Sequence, residues 1–497
     1  MLSKIVLQDE ITLWWTKDEF DYADGYKAYL NGELHGEKEK THYTFSSLEP
    51  NTGYRVRIEA YKSGERTASA EFEIVTQTQK NKIYITDEKY GAIGDGITLN
   101  TEKIQKALND CTPNDMVVIP KGTFLTGALD IHSNTEVYFE DGATLRGTKD
   151  EKDYLPKIKS RFEGIETMCY RSLINMGELN SKGGYNCQNV VLRGHGCICG
   201  GGMNLHASMI DAETERIKDT EEYKNSYYEL RQCIRDYSFA WRARGRLINI
   251  SNTDGVVLAG LQLQYGPAWT VHPIYSRNIV TYGCVITSIN LNNGDGWDPD
   301  SSEDCAVFDT AFDTGDDCIA IKSGKNPEGN IINRPSRNIY VFDCRGISGH
   351  CGVGIGSEMS GGVENVYVWD CDFSSHVWMG VQIKGTKERG GYVRNVFVRD
   401  CKLSCIVAWT VDYNTDGESA LTPPMFSDYT FENIEVTGSN IGAYYATMKG
   451  FEMEGYEIKN VTMKNVTFIN VTPETALNFT NYKDFTLEDI KYETRKA

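Results

Sequence analysis

The chain of 497 residues is short of positive charge: 51 Lys and Arg face 70 Asp and Glu, leaving −19. That sign argues against nucleic acid or an anionic membrane surface as partner, since both need basic faces, although a local basic pocket stays open. No run of about 18 apolar residues exists, so no segment reads as a membrane-spanning helix. The opening residues, Met1-Leu2-Ser3-Lys4-Ile5-Val6-Leu7-Gln8-Asp9-Glu10, lack the apolar stretch of a secretory leader. A cytoplasmic location is the expectation, or a secreted or periplasmic one if a leader was removed. Cysteine is absent ahead of Cys111, although the chain holds 14, spread from there to Cys405. Without a leader these read as buried free thiols and not as a disulfide framework. Cys197-Ile198-Cys199 has the wrong spacing for zinc and no second CxxC pair follows, so no metal is expected.

What is present falls into two parts. Residues 1–78 read as short alternating strands: Ile11, Leu13 and Trp15, then Tyr54, Val56 and Ile58, then Glu71-Phe72-Glu73-Ile74-Val75. Turn residues between them predict a small antiparallel β-sandwich. The polar stretch Thr76-Gln77-Thr78-Gln79-Lys80-Asn81 reads as a linker. Residues 82–497 form the second part. A glycine-rich turn at 90–96 precedes a helix with Ile104, Ala107 and Leu108 on its apolar face. Beyond about residue 115 the helical period disappears, and a loose beat of Asn followed by β-branched or aliphatic residues replaces it. The beat is visible at Asn189, Asn278, Asn338, Asn365, Asn395, Asn433 and Asn460, with Gly255 and Asp304 in the same role. From Gly255 on, the steps are about 23 to 38 residues, the length of one solenoid coil. Strands so short, with no helices between them, cannot make a doubly wound sheet, whereas coiling stacks each on the next. Asn suits a corner with φ > 0, and the residue after it points inward. The fold expected is therefore all-β, a right-handed parallel β-helix behind a small β-sandwich. The charged segment 203–245 breaks the rhythm and reads as an excursion over one face.

The richest stretch runs from Asn292 through Asp295, Asp298 and Asp300, then Gly315-Asp316-Asp317. The step from Asp295 to Asp316 is close to one coil, which would place Asp316 about 4.8 Å away, nearly overhead. The steps from Asp317 to His350 and from His350 to Lys384 are each the length of one more coil. Three carboxylates, a histidine and a lysine would then line one groove. Crowded acids raise the pKa of at least one of them. A protonated acid beside ionised ones is the division of labour that inverting glycoside hydrolysis requires.

At these residues the chain resembles the polygalacturonases of glycoside hydrolase family 28, over about residues 82–480. The motifs are Asn293-Gly294-Asp295, Gly315-Asp316-Asp317, Gly349-His350-Cys351 and Gln382-Ile383-Lys384. Asp298-Pro299-Asp300-Ser301-Ser302 and the string from Ile355 through Glu358 to Gly362 resemble the bacterial exo-acting branch. Leu48 to Val56 resembles the tyrosine-corner region of a fibronectin type III module. The resemblance implies Asp316 as general acid, Asp295 and Asp317 activating water, and His350 holding the acid's protonation. It implies Lys384, Gln382, Asn293, Trp269, His272, Glu358 and Arg389 on the substrate side, and neither metal nor organic cofactor. Inversion needs carboxyl separations of about 6.5 to 9.5 Å.

Gly294 and Cys351 replace a Thr and a Gly of the family, and Gln382 replaces an Arg. The last change is not conservative, because Arg binds a carboxylate bidentately with its charge and Gln offers a neutral amide. Either Arg389, Arg345 or Arg242 supplies the charge, or the sugar is not ordinary galacturonate. The leading expectation is an inverting exo-glycosidase acting on pectic oligosaccharides, with the 203–245 excursion closing one end of the groove. The alternatives are a family 28 hydrolase of shifted specificity (rhamnogalacturonan fragments or a non-uronate glycoside), a non-catalytic carbohydrate-binding β-helix and a calcium-dependent lyase. For the N-terminal module, sugar binding, packing and homo-oligomer formation all stay open.

Overall fold

The repeated asparagines take the corner conformation their side chains favour. In this computed structural model Asn189, Asn278, Asn338, Asn365, Asn395, Asn433 and Asn460 all sit at φ between 56° and 58°. Asn tolerates this left-handed region because its short amide bonds locally. Here the amides also bond from coil to coil: Asn365 Nδ2 donates to Asn338 Oδ1 at 3.1 Å, and Asn395 Nδ2 to Asn365 Oδ1 at 3.0 Å. The following residues Ile339, Val366 and Val396 are in register with one another and buried. Asn433 stands in a different column, between Asp400 and Asn465, while Asp428 holds the corner below Asn460.

The structure describes residues 2–220, 239–415, 417–442 and 444–495. They divide into two compact units, Met1–Lys82 with Thr112–Met116, and Ile83–Cys111 with Val117–Ala497. The first is a sandwich of two antiparallel sheets. One holds Leu2–Val6, Glu10–Trp15 and His42–Ser46, and the other Gly25–Leu30, Glu33–Lys38, Gly53–Lys62 and Glu65–Val75. Ile11, Leu13, Trp15, Phe45, Val56 and Ile58 fill the space between them. The Tyr54 hydroxyl accepts the Glu49 N–H at 2.8 Å and ties a strand to the corner before it.

The second unit is a parallel β-helix closed at its start by the helix Thr101–Asp110, which buries Ile104, Ala107 and Leu108. One long ladder of parallel strands runs through every coil. A second, of shorter strands, carries Val271, Trp297, Ile319, Val353, Val381 and Ile406 in register. Each contributes an apolar side chain to one continuous core. Every described cysteine is a free thiol. In the excursion, Gly202–Ile217 and Phe239–Arg242 are helical, and residues 221–238 lie outside the described ones.

Candidate active site

Register decides which acids meet. Trp297 pairs with Ile319 and Asp300 with Lys322, and the same offset carries Asp295 to Asp317. Asp317, not Asp316, therefore lies in register with Asp295, one position beyond the step expected. The Gly296 N–H donates to the Asp317 carbonyl at 2.9 Å and fixes this alignment. Asp316 is instead the neighbour of His350, whose N–H donates to the Asp316 carbonyl at 2.9 Å. Lys384 does not stack on His350 either. The local coil is shorter than the step between those two, as the pairs Gly349 with Val377 and Gly354 with Gln382 show. Trp378 thus takes the position on His350, and their rings stack 4.0 Å apart at 17°.

The side chains nonetheless converge. Asp295, Asp316, Asp317, His350, Gln382, Lys384, Asn293, Glu358 and Trp269 all line one cavity of about 610 Å³. His350 Nδ1 lies 3.0 Å from Asp316 Oδ1. Lys384 Nζ lies 2.9 Å from Asp317 Oδ2. Gly354 makes room for that carboxylate, since a Cβ there would meet Asp317 Oδ2 at 2.8 Å. Asp295 Oδ1 and Asp317 Oδ1 are buried with no hydrogen-bond donor among the described residues. Two such oxygens are the acceptors that one water molecule needs for its two protons.

The electrostatics separate the acids. Burial, then the charge of Asp316, push the Asp295 carboxyl up to about 7. Burial alone would raise Asp316 too, but the hydrogen bond and charge of His350 hold it below the ordinary carboxylate range. His350 is the reciprocal case: burial pulls it down, and Asp316 outweighs this and raises it. Between these two groups the proton rests on His350. Oxygens of Asp316 and Asp317 and a His350 nitrogen lie within 4.8 Å of one another, a trio able to ligate a cation. His350 and Lys384 already hold the two carboxylates.

Two expected substrate residues sit elsewhere. His272 is fully buried under Trp269, with ring centroids 4.7 Å apart and its Nε2 3.5 Å from Asp300 Oδ2. Burial drives its pKa down to about 3, so it is a neutral support beneath the floor. Arg389 is also fully buried and donates to Asn326 Oδ1 at 2.7 Å and the Asn414 carbonyl at 3.1 Å. It acts at one remove, because Asn414 Nδ2 donates to Glu358 Oε1 at 2.8 Å. Nor do the other two arginines replace the missing one. Arg242 pairs with Glu163 at 2.8 Å, and Arg345 is exposed on the long ladder beside Ala311 and Asp372.

Sequence reasoning missed Lys322, the cation at the centre of the site. Its Nζ is 3.4 Å from Asp295, 3.8 Å from Asp298 and Glu358, and 4.8 Å from the Trp269 ring centre. An alternating reading of Ile319-Ala320-Ile321-Lys322 from the Gly-Asp-Asp turn would have flagged it. Trp241 was missed as well; it lines the cavity and donates to Asn293 Oδ1 at 2.8 Å. Arg244 Nη2 donates to the same oxygen at 2.7 Å.

A parallel β-helix with a carboxylate-rich cavity on its short-strand face is an architecture of polysaccharide-cleaving enzymes. Residues 110–467 match the profile of Glycosyl hydrolases family 28, and the chain belongs to that family. It is a glycoside hydrolase built on the right-handed helix expected. The exo-poly-alpha-D-galacturonosidase of Dickeya chrysanthemi is 27% identical over 418 residues, 79% of this chain and 69% of that protein. A probable polygalacturonase of Vitis vinifera is 28% identical over 61% of this chain, which spans 57% of that protein. Among solved structures, the family 28 exopolygalacturonase of Yersinia enterocolitica superposes with a TM-score of 0.84 at 23% identity, covering 99% of this chain and 97% of that one. The hyperthermoactive exopolygalacturonase of Thermotoga maritima gives 0.70 at 26% identity, over 84% and 93%.

Proposed function

We propose that the protein is an inverting exo-acting hydrolase that releases α-linked galacturonic acid units from the ends of pectic oligosaccharides. One observation carries the reading: Asp316 paired with His350, Asp317 paired with Lys384, and Asp295 beside them all face one cavity. In this reading a bound sugar displaces water from the His350–Asp316 pair. Desolvation disfavours its charge-separated form, and the proton crosses the 3.0 Å contact to Asp316. Asp316 then passes it to the glycosidic oxygen as the bond breaks. Asp295 and Asp317 accept from the attacking water through their unpartnered oxygens, and one of them takes its proton. Lys322 and Lys384 supply the countercharges of these two bases. The named activities of the Dickeya and Thermotoga relatives support the exo assignment. The sandwich of three and four strands with the Tyr54 corner supports a fibronectin type III-like identity for the first unit.

The test is incubation with trigalacturonate, following sugar release by chromatography and product configuration by proton NMR. Monomer or dimer appearing first as the β anomer is expected. Retained configuration would overturn the roles given to Asp295 and Asp317, and absence of release would overturn the substrate.

A further inference from the structure

We infer that the cavity selects an uncharged oxygen, of an ester or a hydroxyl, on the sugar seated over Gln382, and that Cys351 sets this preference. The inference rests on the hydrolase reading above and narrows its substrate, with an uncharged form in place of the free acid at the position over Gln382.

Two of the three non-family residues, Cys351 and Gln382, touch each other. Cys351 Sγ donates to Gln382 Oε1 at 3.0 Å, and both side chains are buried at the cavity wall. Burial raises the thiol well above its ordinary pKa, so it keeps the proton it donates. With its carbonyl oxygen engaged, the amide is held in one orientation. Its Nε2 has no acceptor among the described residues, leaving two neutral N–H donors for a ligand. Such donors match a carbonyl or hydroxyl oxygen and provide no charge against a carboxylate.

The cations of the cavity are already committed. Lys384 sits on Asp317, His350 on Asp316, and Lys322 among Asp295, Asp298 and Glu358. A sugar carboxylate over Gln382 would enter a wall rich in acids with no uncommitted cation among the described lining residues. Desolvating an anion without a partner is strongly unfavourable. A methyl ester keeps a similar shape and the acceptor oxygen while removing the charge.

The experiment compares kcat/KM for release from three trisaccharides: trigalacturonate, its methyl ester, and the neutral galactose equivalent of the same linkage. Wild type is expected to favour an uncharged substrate over the free acid by about tenfold or more, the scale of a mismatched buried polar contact. Cys351→Ser keeps a donor and should keep the ratio. Cys351→Ala, close to it in size, should erode the ratio through KM with kcat little changed. Cys351→Gly/Gln382→Arg should invert it. A tenfold preference of wild type for the free acid, or one ratio shared by all variants, overturns this inference and leaves the hydrolase reading standing. No release from any of the three overturns both.

Discussion

Lys384 Nζ meets Asp317 Oδ2 at 2.9 Å with both side chains buried. Removing one partner leaves the other charge buried and uncompensated in the cavity wall, which costs up to about 3–5 kcal/mol. Lys384→Met should therefore lower the melting temperature markedly and abolish most turnover. Lys384→Met/Asp317→Asn should recover much of the lost stability and none of the activity. Thermal unfolding followed by circular dichroism, beside turnover on trigalacturonate, reads both. A double variant as unstable as the single one would show that the pair does not carry the loss.

The His350–Asp316 contact makes a prediction about pH. His350 gains affinity for its proton from Asp316, and the proposed acid step draws on that proton. kcat/KM should fall on the alkaline side as His350 deprotonates above its ordinary value. On the acid side it should fall as Asp295 protonates at about 7. His350→Gln should remove or displace the alkaline limb and lower kcat by about 10²-fold or more. An alkaline limb that stays in place in this variant would assign it to another group.

How much of this was legible in the sequence depends on what each residue reports. The Asn corners were, because φ > 0 is a local demand that Asn meets by itself; Asn189 and Asn338 needed no knowledge of their neighbours. The convergence of Asp295, Asp317 and Lys384 was legible as a set of motifs. Their register was not. The coil that carries Trp297 to Ile319 is shorter than the one that carries Gly354 to Gln382, and only pairing fixes which step applies. Asn433 shows the same limit: its motif is that of the other beats, but it occupies a second corner of the coil. Lys322 escaped because a lysine at a strand end resembles any solvated charge until three carboxylates surround it. The substrate expectation for His272 and Arg389 fails because both are sealed in the protein, His272 beneath Trp269 and Arg389 on Asn326 and Asn414, and burial is a property of the packed coil.

Asp298 predicts how stability depends on pH. It is fully buried beside Asp295, and neither of its oxygens has a hydrogen-bond donor among the described residues. Burial, then the charge of Asp295, push its carboxyl well above the ordinary range. A folded-state pKa above the unfolded one contributes stability that is fully present below about pH 4 and lost as pH rises through the folded value. Asp298→Asn never ionises at this position. Its melting temperature should stay close to that of wild type at pH 4 and exceed it by a few degrees at pH 8, on a scale of about 2–4 °C per kcal/mol. A gap that is constant across this range would mean that Asp298 is ionised throughout.

Tyr54 provides a test confined to the first unit. Its hydroxyl accepts the Glu49 N–H at 2.8 Å, while the ring packs against the sandwich core. Tyr54→Phe keeps the ring and deletes the acceptor, so the backbone N–H at the corner loses its partner. A net loss of about 0.5–1.5 kcal/mol is expected. The β-helix has its own separate core, so hydrolysis at the cavity should be unchanged. Hydrogen exchange read by mass spectrometry distinguishes the two units: faster exchange should appear in peptides covering 42–62, with those of 295–322 and 350–384 as in wild type. Faster exchange across the catalytic coils would show that the corner's stability is shared by the whole chain.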